Sequence, residues 1–211
     1  MIVRVISSTW FVWALLALPA IAMFVALIGG SPGHNDASVA KALLHPTGET
    51  SARLLIITMA IIPLRMMFPS LRFWGWMLRH RRWFGVAAFA YAAFHTALYV
   101  IDIGALRAML DEFLALGIWT GWLAFAIFVP LALTSNKAAV RGMKRNWRRL
   151  HRLVYVAAVA TLAHWIFIHN AIGPALVHFV PLAGLEAYRL WRTYRSASRT
   201  DASEALANAR R

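Results

Sequence analysis

Eight histidines stand in a chain of 211 residues that contains no cysteine. Without thiolates there are no disulfides, iron–sulfur clusters, thiolate zinc sites or covalent c-type haem, which needs C-x-x-C-H. A metal must be held by imidazole, thioether, carboxylate or backbone oxygen, and imidazole is the plentiful donor. Three histidines, His95, His151 and His164, lie in or beside apolar stretches: AYAAFHTALYV, LHRLVYV and ATLAHWIF. An ionisable side chain inside an apolar membrane segment is costly and is a functional candidate by default.

The elements that must position them follow from composition. Hydrophobic residues make up 61% of the chain and charged residues only 14%, with mean hydropathy +0.61. A soluble domain is nearer half apolar and a quarter charged. The surplus must face lipid, which excludes a soluble globular enzyme, a disordered chain and a coiled coil. The net charge is +14, from 22 Lys and Arg against 8 acids. These cations sit in short runs beside apolar stretches, as membrane flanks do. With no RNA-binding or helix-turn-helix pattern, nucleic acid is not an expected partner.

Six apolar runs are long enough to cross about 30 Å of hydrocarbon as helices. They cover 9–30, 51–69, 83–101, 114–134, 151–169 and 173–191. The expected fold is an all-α polytopic membrane protein, a six-transmembrane-helix bundle over 1–195 with a short cytoplasmic tail over 196–211. The first run is too long for a cleavable signal peptide. Five Arg lie between Arg65 and Arg82, seven Lys or Arg between Lys137 and Arg152, six Arg from Arg189 onward, and Arg4 precedes the first run. The other side holds only Lys41, Arg53 and Arg107. Positive residues stay inside, so both termini are expected in the cytoplasm. Tryptophans near the span ends, Trp10, Trp74, Trp119, Trp147 and Trp191 among them, fit an aromatic belt. Neither a G-x-G-x-x-G nor a G-x-x-x-x-G-K-[ST] nucleotide motif is present.

Depth pairs two of the histidines. His95 lies thirteen residues past Arg82, and His164 twelve past Arg152. At about 1.5 Å per residue both sit roughly 18–20 Å from the basic edge. The third and fifth spans run in the same direction, so both imidazoles can meet one flat ring, as a bis-histidine haem b requires. The bland alternative is a pair of core histidines bonded to Ser, Thr or a carbonyl. No intramembrane acid is read beside them to form a proton relay. His151 stands thirteen residues before His164, about 20 Å of rise, which suits a second redox centre nearer the cytoplasm. On an ideal helix those two side chains point roughly 140° apart, which a bulge or change of winding would correct. An interfacial histidine beside a basic cluster explains His151 equally well. No histidine stands opposite it, since Arg81 lies where a partner would be. His34, His45, His169 and His178 read as interfacial or solvated. Arg53 reads as snorkelling, pairing with Glu49 or docking a partner, with His45-Pro46-Thr47-Gly48-Glu49-Thr50 as loop before it.

The sequence resembles the MsrQ (YedZ) family of haem-binding membrane subunits, within the ferric-reductase-like transmembrane domains. The resemblance is carried by HPTGETSARLLIITMAIIPL (45–64), RRWFGVAAFAYAAFHTALYV (81–100), LALTSNKAAVRGMKRNWRRLHRLVYV (131–156) and AHWIF (163–167). It covers about 9–195, and its most specific piece is W-x-x-L-H-x-x-V-Y around His151. The resemblance implies haem ligands at His95, His151 and His164, with one haem b and a second open because Arg81 replaces a histidine of the relatives. It also implies FMN, although no flavin motif is read here. By resemblance the chain is a non-catalytic electron-transfer subunit in a bacterial inner membrane. It would take electrons from the quinol pool or a cytosolic flavin reductase. It would pass them to a periplasmic molybdopterin methionine sulfoxide reductase catalytic subunit. The alternatives are a stand-alone ferric or cupric metalloreductase, and a transporter or assembly protein with structural histidines.

Overall fold

The computed structural model describes residues 8–29, 36–169 and 172–209. Arg4, His34, Asn170, Arg210 and Arg211 lie outside them, as do the side chains of His169 and Arg199. The described chain is helical: α1 (Thr9–Gly29), α2 (Asp36–Met67), α3 (Arg72–Ile103), α4 (Leu106–Glu112), α5 (Leu116–Leu133), α6 (Lys137–Met143), α7 (Arg145–His151), α8 (Val154–His169) and α9 (Ile172–Ala209). Among the described residues, four stretches are long and apolar enough to cross a membrane: Val39–Met67, Arg72–Ile103, Leu116–Leu133 and Arg145–Ile168. The molecule is an all-α polytopic membrane protein.

Two antiparallel pairs make the bundle. α2 packs along α3, and α5 along α8; α9 lies on α2, α1 leans on both α2 and α3, and α3 meets α5. Small residues let the backbones approach at these crossings, with Ala87 and Ala88 of α3 and Ala157 and Ala158 of α8 all buried. Larger side chains, Leu55, Met59, Phe84, Phe128, Trp165 and Phe179, fill the space between them. The outward faces stay apolar: Leu18, Ile28, Val159 and Val177 are more than half exposed, as lipid-facing positions are.

Three expectations change. The run 31–50, expected as an external loop of about twenty residues, is helix from Asp36 onward. Pro46 stays inside α2, and local hydroxyls bond to carbonyls on either side of it. Thr47 donates to the carbonyls of Leu43 and Leu44 at 2.8 and 2.9 Å, and Thr50 to that of Pro46 at 2.7 Å. Membrane helices tolerate proline. The third span is part of a helix that starts at Arg72, so Arg79, Arg81 and Arg82 are helical rather than loop residues. The fifth span is broken immediately after His151. There Arg152, Leu153 and Tyr155 make tighter bonds to carbonyls three residues back, at 3.2, 2.9 and 3.1 Å. This is a local change of winding between α7 and α8.

Two caps fix the turns around the pairs. Gly104, with φ +64°, ends α3 in the left-handed conformation, its N–H on the Val100 carbonyl. Asn136 starts α6 by accepting from the Ala139 N–H at 2.8 Å. Tyr91 ties α1 to α3. Its hydroxyl donates to the Leu16 carbonyl at 2.8 Å and accepts from the Ala20 N–H at 2.9 Å, standing in the helical ladder next to Pro19.

Candidate cofactor site between two histidines

His95 projects from the middle of α3 and His164 from α8. The bundle brings them together edge to face, with ring centres 6.0 Å apart and ring planes at 84°. His95 Nδ1 lies 2.9 Å from the Leu44 carbonyl and 3.3 Å from the Thr47 hydroxyl. His164 Nδ1 lies 2.7 Å from the Gly117 carbonyl. A carbonyl only accepts, so each Nδ1 is the donor; in a neutral ring Nε2 is then the basic nitrogen. Metal-ligating histidines are held in this way, with the far ring nitrogen donating to a carbonyl or carboxylate.

The two rings line a partly open cleft with a cavity of about 190 Å³. Its walls are chiefly apolar, including Ala52, Ala124, Phe125, Phe128, Trp122 and Trp165. Tyr99, one turn beyond His95 on the same face of α3, also lines the cleft. Its hydroxyl is buried with no hydrogen-bond partner among the described residues. Buried polar groups ordinarily have partners, so this orphan calls for one supplied by an occupant. Paired imidazoles of matched tautomer, apolar walls and one orphan hydroxyl fit a planar, iron-centred ring with polar substituents.

His151 is held elsewhere. Its Nε2 is 3.0 Å from the Thr134 hydroxyl, and the indole of Trp147 stacks on it with centres 4.0 Å apart. Thr134 gives its own proton to the Pro130 carbonyl at 2.6 Å, so His151 Nε2 must be the donor. Trp147 Nε1 donates to the Thr134 carbonyl at 2.9 Å, closing the arrangement. Arg81 faces the same end of the bundle, its Nε on the Thr58 carbonyl at 2.7 Å. Among the described residues no three His, Asp or Glu converge as a metal-binding group.

At the opposite end Glu49 receives Arg53 Nη2 at 2.6 Å and stands 3.7 Å from His45. Arg53 Nε also donates to His178 Nε2 at 3.3 Å, while His178 Nδ1 donates to the Pro174 carbonyl at 2.8 Å. Arg53 therefore pairs with Glu49, and His178 is bonded at the same exposed end. His45 is half exposed, as expected of an interfacial residue.

Sequence reasoning passed over two features. Glu186 lies inside the sixth expected span, on α9, with both carboxylate oxygens buried and Arg189 at 2.9 Å. It is an acid within an expected span but far from the histidine pair; the carboxylate that lines the cleft beside His95 and His164 is Glu49, which corrects the expectation that no acid stands there. Arg189 also donates to the Tyr155 hydroxyl, forming a small network at the basic end. The second feature is the pair of carbonyls beneath the histidines. Two Thr-Gly dipeptides, Thr47-Gly48 and Thr120-Gly121, are the sequence signal that could have marked it.

A membrane-embedded helical bundle built around two tautomer-locked imidazoles is the class that fold and site define. Comparison with known proteins gives the family. Residues 47–162 match the model of the ferric reductase like transmembrane component. MsrQ, the protein-methionine-sulfoxide reductase heme-binding subunit of Xanthomonas euvesicatoria pv. vesicatoria (strain 85-10), is 36% identical over 178 residues, covering 82% of this chain and 79% of that one. The protein of the same name from Brucella anthropi is 32% identical over 193 residues, covering 90% and 84%. That of Xanthomonas oryzae pv. oryzae (strain MAFF 311018) is 36% identical over 162 residues, covering 75% and 72%. The chain belongs to the ferric-reductase-like transmembrane family, on its MsrQ branch. No solved structure matches it.

Proposed function

We propose that the chain is the haem b-binding electron-transfer subunit of a protein-methionine-sulfoxide reductase system, with His95 and His164 as axial ligands through Nε2. The observation that carries this reading is the paired tautomer: both Nδ1 protons are committed to carbonyls, and both ligating nitrogens belong to rings lining one cleft. When bound, the haem would supply a one-electron centre held by His95 and His164, an arrangement that favours electron transfer over oxygen chemistry. The chain's own residues do the rest. The Leu44 and Gly117 carbonyls hold the rings and raise their basicity. The aromatic and aliphatic walls keep water away. The Tyr99 hydroxyl would donate to a haem carboxylate.

This reading uses one haem. His151 stays outside it, held by Thr134 and Trp147 near the cytoplasmic face, and would serve as a ligand only if its Nε2–H bond were given up. No residue is assigned to FMN. The relatives' names support a catalytic partner, taken here as a periplasmic molybdopterin methionine sulfoxide reductase subunit. The donor is the quinol pool or a cytosolic flavin reductase, and the setting a bacterial inner membrane with both termini inside. The basic flanks at one end of the bundle support the orientation; the donor, the molybdopterin partner and the inner membrane rest on the family resemblance.

The test is spectroscopic. Protein purified after expression with adequate haem should show a b-type Soret band that shifts on dithionite reduction. A colourless protein would favour a structural or transport role and overturn the reading.

A further inference from the structure

We propose that the histidine cradle is built twice, by an internal repeat of α2–α3 and α5–α8, and that Gly48 and Gly121 are its positioning residues. The inference deepens the haem reading and rests on it for its functional meaning. On α2 the residues in play are Leu43, Leu44, Thr47 and Gly48; on α5, in the same order and spacing, they are Leu116, Gly117, Thr120 and Gly121. Thr47 donates to the carbonyls of Leu43 and Leu44 at 2.8 and 2.9 Å. Thr120 donates to those of Leu116 and Gly117 at 2.8 and 3.0 Å. In each copy the second of those carbonyls also receives the histidine Nδ1–H from the next membrane-crossing helix of its pair.

The glycine makes that bond reachable. A helical carbonyl is normally screened by the side chain one turn later. A Cβ at Gly48 would stand 3.0 Å from His95 Cε1 and 3.1 Å from its Nδ1. A Cβ at Gly121 would stand 2.6 Å from His164 Nδ1 and 2.8 Å from its Cε1. The first distance is tight and the second is impossible without displacing the ring. Each imidazole therefore lies on a helix stripped of its Cβ at the point of contact, a use only glycine permits. The threonine assists by bonding back along the helix, which bends it. Its hydroxyl also shares the carbonyl with the imidazole and so weakens the Nδ1–H bond. Repetition of the whole register on two helices gives the two rings equivalent seats.

The test uses the full chain in detergent. Five variants serve: Gly121→Ala, Gly48→Ala, Thr120→Val, Thr120→Ser, and Gly173→Ala as control, since a Cβ at Gly173 meets nothing within 4 Å. Gly173→Ala should match the wild type. Gly121→Ala should lose the low-spin haem spectrum, or change the g-anisotropy that reports the angle between ring planes; Gly48→Ala should do so less. Thr120→Val should keep haem and lower its midpoint potential, because the carbonyl relieved of the hydroxyl takes the Nδ1–H more strongly. Thr120→Ser should restore the potential. On haem-free protein, nitrogen NMR of labelled histidine should report the Nδ1–H tautomer for His95 and His164, lost at His164 in Gly121→Ala. Unchanged occupancy, g-values and potential in Gly121→Ala and Thr120→Val would overturn the cradle while leaving the haem reading intact. A wild type that binds no haem would overturn that reading, and the tautomer measurement would still decide the cradle. If Gly121→Ala does not fold, Thr120→Val decides.

Discussion

The two ends of this bundle treat a buried histidine in opposite ways. In the cleft, His95 and His164 spend Nδ1–H on carbonyls. At the basic end, His151 spends Nε2–H on Thr134 and lies under Trp147. The first arrangement commits Nδ1 to a carbonyl, and the second commits Nε2 to a hydroxyl. Surroundings differ to match. The cleft is chiefly apolar, with the Tyr99 hydroxyl and the Glu49 carboxylate among its few polar groups, whereas the basic end collects Arg81, Arg189, Glu186 and Tyr155. Residue type thus says little about ligation; the acceptor on the far nitrogen decides it.

The sharpest way to break the contrast is to remove one imidazole. His164→Ala or His95→Ala should abolish the bis-histidine low-spin spectrum, while His151→Ala should leave it in place. Optical and EPR spectra of the three purified variants check this, and a normal spectrum in His164→Ala would sink the assignment. Next in size is Tyr91→Phe, which strips two hydrogen bonds from the joint between α1 and α3. It should lower unfolding stability in detergent by about 1–2 kcal/mol with haem content unchanged. Thr134→Val removes the acceptor of His151 and should lower stability by about 1 kcal/mol. It should leave the cleft's spectrum alone; a shifted Soret band would show that the two ends are coupled. The smallest effect belongs to Arg53→Gln. Its ion pair with Glu49 is half exposed, and such pairs are worth below about 1 kcal/mol. A thermal melt within error of the wild type is expected.

Depth arithmetic along two helices of the same sense put His95 and His164 at one level, and the bundle brings them together. That inference works because helical rise is fixed by backbone geometry. Helix ends were less legible. Pro46 and Gly48 look like loop residues in sequence, yet α2 runs through them, with Thr47 and Thr50 bonding back to the carbonyls of Leu43, Leu44 and Pro46. The winding change after His151 follows no local signal. Glu186 was passed over because it falls near the end of an apolar run, and only packing shows its carboxylate buried beside Arg189.

By itself the sequence determined that this chain lives in a membrane, that its helices are amply apolar, and that two imidazoles share a depth. Those are sums over residues: hydropathy, length, charge and rise. The tertiary structure alone decided which nitrogen of each ring carries its proton, because that depends on a carbonyl dozens of positions away in the chain, exposed by a glycine on another helix.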